Sequence, residues 1–228
     1  MDLQSNLWIS LQISLQATLL VFLLGLPLAW WLARPGWRGR TVLDIVVNLP
    51  LALPPTVLGY YLLLLIGRDG PVGWLTRRLT GQTLIFSPAA AVLASTVVCL
   101  PLFVQAARNA LEDVPPDVHE AAQIDGASRW QAFRFIFAPL AWPGIWTGVL
   151  LAYARSLGEF GATLMVAGNI PGKTQTLSLA IYSAVQAGDT NTAHLLAVVL
   201  TGVASVSIWI GLRWRRPGRI SIGSPSKT

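Results

Sequence analysis

Five apolar stretches limit this chain to few folds, because each is near or above the roughly 20 residues that a helix needs to cross a bilayer. They cover 8–33, 44–66, 88–107, 142–166 and 193–212. In lipid, every backbone N–H and C=O must find its partner within the protein, so stretches of this kind are helices. The expected fold is all-α: a polytopic membrane protein with about five transmembrane helices. Only 11% of the 228 residues are charged, and the mean hydropathy is +0.58. A soluble domain carries about 25% charged residues. The chain has ten Trp residues, and Trp8, Trp30, Trp31, Trp142 and Trp209 lie near the ends of apolar runs. Interfacial Trp is expected there. A sixth apolar stretch, 177–187, is too short to span and suits a re-entrant or interfacial helix.

The formal net charge is +6. A nucleic-acid surface would gather basic residues with aromatics, whereas here they lie in the short segments between apolar runs. The positive-inside rule accounts for them. Arg34, Arg38 and Arg40 follow the first run; Arg108, Arg129 and Arg134 follow the third; Arg213, Arg215, Arg216, Arg219 and Lys227 follow the fifth. These eleven fall on one side of a five-span chain, against Arg68, Arg77, Arg78 and Lys173 on the other. The expectation is an extracytoplasmic N-terminus (1–7), a cytoplasmic loop at 111–140 and a basic cytoplasmic tail (213–228) near anionic headgroups. The segment MDLQSN holds no basic residue, and the first run is long for a signal peptide, so it is read as a retained span. Pro50, Pro54 and Pro55 interrupt the second run. They predict either a packing kink or a broken helix beside a conduction path.

The segment 120–139 is polar and helix-forming, between two apolar runs. Pro115 and Pro116 suit the first turn of a helix, and Asp117 and Glu120 complement its dipole. Gly126 suits its stop. Ser128 with Gln131 forms a capping box for a second helix, and Pro139 predicts a break before the next span. The product is an elbow of two short helices, with Ala121 and Ala122 small enough for a partner to approach closely. The spaced pattern Glu120, Ala121, Ala122, Gly126, Ile136 and Pro139 resembles the "EAA" loop of ABC importer permeases. Ala138 stands where that family usually has Leu. The resemblance implies the type I permease core, with these six residues coupling it to a separate ATPase subunit.

The stretch GNIPGKT at 168–174 falls one residue short of a phosphate-binding G-x-x-x-x-G-K-[ST] loop and follows no strand. It reads as a turn that exposes Lys173. No nucleophile–base set or metal constellation occurs; His119 and His194 are the two histidines, and the single Cys99 reads as a small buried hydrophobe. The expectation is therefore a transport subunit with no enzyme activity, cofactor or metal of its own.

Arg155 and Glu159 fall inside the fourth apolar run. Their spacing of four puts them on one face of a continuous helix. Charges at this depth cost at least ~2.5 kcal/mol, so the pair is expected to face a bundle interior or aqueous cavity, either as a structural pair or as part of the path. Gly158 and Gly161 would permit close helix approach there. YARSLGEFGAT, together with LPLALPPTVLGYYLLLLIGRDGPVG and NIPGKTQTLSLAIYS, resembles the molybdate branch of the molybdate, tungstate and sulfate permeases. The resemblance covers most of the chain, about 11–212. It implies a molybdate permease of the bacterial inner membrane working by alternating access, as a homodimer with two ATPase subunits and a periplasmic molybdate-binding protein. Sulfate, thiosulfate or tungstate is the alternative cargo. A stand-alone channel or secondary transporter would leave the loop unexplained.

Overall fold

A computed structural model describes residues 2–34, 36–115, 117–118, 124 and 126–214, and these contain helices and no strand. In chain order the helices are α1 (Leu3–Ala33), α2 (Arg40–Ala52), α3 (Pro55–Ile66), α4 (Pro71–Thr80), α5 (Pro88–Glu112), α6 (Arg129–Ala132), a π-helical turn (Phe133–Phe137), α7 (Ala138–Leu157), α8 (Gly161–Ala167), α9 (Leu177–Gln186) and α10 (Thr190–Trp214). Among the described residues four helices are long and apolar enough to cross a membrane: α1, α5, the stretch Trp130–Leu157 and Thr190–Arg213. The pair α2–α3 passes the same test together but is bent by 117°, giving up to five spans.

The second apolar run is therefore a broken helix, well beyond a packing kink. Leu53 adopts extended backbone and Pro54 a non-helical one between α2 and α3. Pro54 and Pro55 have no N–H to donate to the last carbonyls of α2, so the ladder stops there.

α5 is the centre of the bundle. Of its most apolar stretch 61% is buried, against 11% for α10. Ser87 starts it, accepting the Ala90 N–H at 3.3 Å, with Pro88 in the first turn. Small residues then let its neighbours approach. Phe103 is fully buried between two glycines: a Cβ on Gly25 of α1 would lie 2.5 Å from its ring, and one on Gly148 of α7 would lie 3.1 Å away. One turn on, a Cβ on Gly144 would come within 2.3 Å of Ala110 Cβ. Gly144 and Gly148 form the small-x-x-x-small seam that brings membrane helices into van der Waals contact.

The buried side chains form two principal clusters. One joins Val21, Ala29, Val47, Phe103, Val104 and Ile145. The other joins Ile13, Leu58, Ala91, Val98, Ala162 and Val166. Buried hydroxyls are tolerated because they bond back to their own helices: Ser10 to Asn6 O, Thr18 to Ser14 O and Thr96 to Val92 O. Ser10 Oγ also accepts the Leu177 N–H at 2.7 Å, which ties the start of α9 to α1.

Two sequence expectations are corrected. The fourth run, 142–166, is not one helix: α7 ends at Leu157, Gly158–Phe160 break the chain, and α8 follows. Pro139 does not break the chain either. It sits in the first turn of α7, and the π-helical turn before it keeps the chain helical from Arg129 to Leu157. The Ala138 N–H reaches back to Phe133 O, the i→i−5 bond of a π turn, just before the proline nitrogen that has no N–H to donate.

Close packing at Gly144 makes a direct prediction. Gly144→Val should lower the detergent unfolding midpoint by the equivalent of about 1–3 kcal/mol. Gly202→Val, at a position with no atom within 4 Å of the added Cβ, should leave it unchanged. Equal midpoints for the two variants would contradict this packing.

Candidate permeation site and docking elbow

The break after α7 is built around Glu159. Its side chain is 1% exposed, and its Oε2 lies 2.7 Å from Arg155 Nη1. Its Oε1 accepts the Ala162 N–H at 2.9 Å, so the same carboxylate caps the first turn of α8. Arg155, with 33% of its side chain exposed, occupies the last turn of α7, where the helix dipole favours a cation. The two charges are paired as the sequence suggests, but they do not share a helix face, because the helix ends between them. The carboxylate holds the broken ends together, which a continuous-helix reading does not anticipate. Ser156, Thr163 and Ser95 bury hydroxyl oxygens with no protein hydrogen-bond partner.

The two flanking glycines differ. A Cβ on Gly161 would lie 3.2 Å from Pro55 Cβ and Thr56 Cγ2, so close approach there is real. A Cβ on Gly158 would meet nothing nearer than the Arg155 carbonyl at 3.9 Å, so that residue makes no helix approach. Gly59 completes the contact of α3 with α8, its added Cβ falling 2.7 Å from Met165 Cβ and 2.9 Å from Ala162 Cα. The break at Pro54–Pro55 therefore lies against the break at Gly158–Phe160. Two interrupted helices meet at one level of the bundle, an arrangement found where membrane transporters line a path.

The polar elbow stands at the opposite end of α7. Glu120, Ala121 and Ala122 lie outside the described residues, as do Pro116 and His119. Gly126 is exposed with φ +70°, the left-handed conformation that ends a helix. Ser128 and Gln131 form a reciprocal capping box: the Ser128 N–H donates to Gln131 Oε1 at 2.8 Å, and the Gln131 N–H to Ser128 Oγ at 3.3 Å. Ile124 is 85% exposed. Ile136 is half-buried in the π-helical turn, and Pro139 is exposed. Trp130 and Phe133 anchor the elbow on α1, their rings 6.0 and 4.5 Å from Trp30.

The turn at 168–174 is no phosphate cradle. The N–H groups of Lys173, Thr174 and Gln175 all point inward to Ile170 O, at 3.1, 2.9 and 3.0 Å. Gly168 and Gly172 supply the positive φ that this requires. Lys173 is exposed.

Sequence reasoning misses a polar seam between α2 and α5. Arg108 and Glu112 belong to α5, which runs past the apolar stretch because they find partners. Arg108 pairs with Asp44 at 2.8 Å, and Glu112 with Arg40 at 2.7 Å. The spacings 40/44/48 and 105/108/112 are visible in the sequence. The charge rule hides them by treating arginines as loop markers.

Comparison with known proteins places this architecture. The molybdenum transport system permease protein ModB of Escherichia coli (strain K12) is 43% identical over 208 residues, 89% of this chain and 91% of that protein. The sulfate transport system permease protein CysT of the same strain is 37% identical over 201 residues, 87% of this chain and 72% of that protein. Among solved structures, an inward-facing conformation of the MetNI methionine ABC transporter superposes with a TM-score of 0.76 at 22% identity, covering 92% of this chain and 93% of that one. The fold is that of an ABC importer permease. Residues 25–216 match the family described as "Binding-protein-dependent transport system inner membrane component", and this chain, a transport permease subunit, belongs to that family.

Proposed function

We propose that this chain is the membrane subunit of an ATP-driven importer of molybdate, which it passes across the bacterial inner membrane by alternating access. The observation that carries the coupling role is the elbow. Ile124 stands exposed two residues before Gly126 with its positive φ, and a capped helix follows that continues without interruption from Trp130 to Leu157. An apolar side chain this exposed in a polar segment suits a protein partner, and the partner that this family needs is an ATPase. Glu120, Ala121, Ala122, Gly126, Ile136 and Pro139 are its contact or positioning residues.

The basic-residue balance supports an elbow on the cytoplasmic side and a periplasmic N-terminus. Among the described residues one chain offers up to five spans, and its sequence carries one such loop. A homodimer supplies two elbows for two ATPase subunits, and symmetric dimers are the commonest oligomers. A periplasmic molybdate-binding protein would deliver cargo from the other side. Cargo follows from the molybdenum permease relatives, with the sulfate permease less similar. The paired breaks around Arg155 and Glu159 are the proposed gate, with Gly161 holding α8 against α3 and Gly158 giving the chain its turn between α7 and α8.

Two outcomes are expected. Ile124→Asp should weaken co-purification with the ATPase subunit by at least about 1 kcal/mol, roughly fivefold. Gly126→Val, which forces a β-branched residue into positive φ, should abolish uptake while the permease still inserts. Full ATPase binding and normal uptake by both variants would remove the elbow from the coupling role. At the gate, Glu159→Gln keeps an oxygen for the Ala162 N–H but removes the charge that balances Arg155. Uptake per assembled complex should fall several-fold with assembly preserved; a loss of assembly alone would make the pair structural.

A further inference from the structure

Two polar stripes face one another where α2 begins and α5 ends. Arg40, Asp44 and Asn48 lie on one face of α2, and Gln105, Arg108 and Glu112 on one face of α5. Three bonds cross between the helices. Gln105 Nε2 donates to Asn48 Oδ1 at 2.6 Å, Arg108 Nη1 to Asp44 Oδ2 at 2.8 Å, and Arg40 Nη2 to Glu112 Oε1 at 2.7 Å. Two more bonds brace them: Arg108 Nε to Glu112 Oε1 at 3.0 Å, and Asn48 Nδ2 to Asp44 Oδ1 at 2.7 Å. A lone exposed ion pair contributes little. Here one guanidinium holds carboxylates on both helices, so neither helix can slide or turn without breaking several bonds together.

The apolar attachment of α2 is thin. Val47 is the residue it buries, while Val42, Ile45, Val46, Leu49 and Leu51 are 47–65% exposed. At its far end, Pro54 and Pro55 leave the carbonyls of α2 without the helical bonds that would stiffen the link to α3. α3 itself is packed on α8 through Gly59 and Gly161. α2 is thus clamped at one end to the last turns of α5 and jointed at the other. Glu112 lies three residues before Pro115, where the elbow segment opens.

We propose that this seam transmits the movement of the elbow to the broken helix: α2 travels with the end of α5, the joint at Leu53–Pro54 takes up the displacement, and the gate between α3 and α8 responds. Arg108 and Asp44 are positioning residues in this scheme; they touch neither cargo nor nucleotide. The inference rests on the coupling role proposed for the elbow.

The test uses the complete permease–ATPase–binding-protein assembly in proteoliposomes, with molybdate uptake and ATP hydrolysis measured on the same preparation. Asp44→Asn and Arg108→Gln should still bind the ATPase and hydrolyse ATP, while molybdate moved per ATP falls about tenfold, the scale of a typical coupling between sites. Asp44→Glu and Arg108→Lys, which keep the charges, should recover most of that loss. Unchanged uptake per ATP in Asp44→Asn and Arg108→Gln would overturn the proposal. So would loss of the bound ATPase or of folded permease in those variants, which would make the seam a prop for assembly. Failure of the elbow reading is separately visible, since Ile124→Asp and Gly126→Val would then bind ATPase and transport normally.

Discussion

Phe103 wedged between Gly25 and Gly148 is the contact on which the bundle depends. Lipid offers no hydrophobic gain for bringing apolar helices together, so their association needs surfaces that fit closely. Glycines on α1 and α7 provide that fit against the large side chain of α5. Once α5 is fixed on both sides, its two ends acquire distinct tasks. One half, around Ala91 and Val98, supports α3 and α8. The other runs on to Arg108 and Glu112, grips α2, and hands the chain to the elbow.

The broken helices follow from the same constraint. Interrupting a membrane helix leaves backbone groups that lipid cannot satisfy, so a break persists only where protein groups or a water-lined path replace the lost bonds. At the first break the prolines remove donors. At the second, Glu159 supplies an acceptor to α8 and a counter-charge to Arg155. Placing the breaks side by side limits the cost to one region and leaves a joint there. The joined breaks and the elbow lie at opposite ends of α7, the proposed gate at one and the proposed docking surface at the other.

Much of this was legible in the sequence, for identifiable reasons. Run length and hydropathy mark the spans because bilayer thickness leaves little freedom. Gly126 and the Ser128–Gln131 box are readable because helix ends have local chemistry. Pro54 and Pro55 announce a break, although not its 117° bend. The other features depend on partners distant in sequence. Arg155 and Glu159 fit a continuous helix by spacing, and nothing local shows that the carboxylate would instead cap a new one. Gly158 and Gly161 look alike in the sequence, yet only Gly161 meets another helix. The π turn that carries the chain through Pro139 has no sequence marker. The α2–α5 seam is periodic, but its meaning emerges only when two stripes more than fifty residues apart come face to face.

In the proposed mechanism an external ATPase drives the membrane bundle through its elbow. The most direct test is uptake of radiolabelled molybdate by proteoliposomes holding the permease with and without its ATPase subunit, in the presence of the binding protein and excess sulfate. Uptake should require both the ATPase subunit and ATP on the elbow side, and it should persist against sulfate. Molybdate accumulation by the permease alone, driven by an ion gradient, would contradict the account.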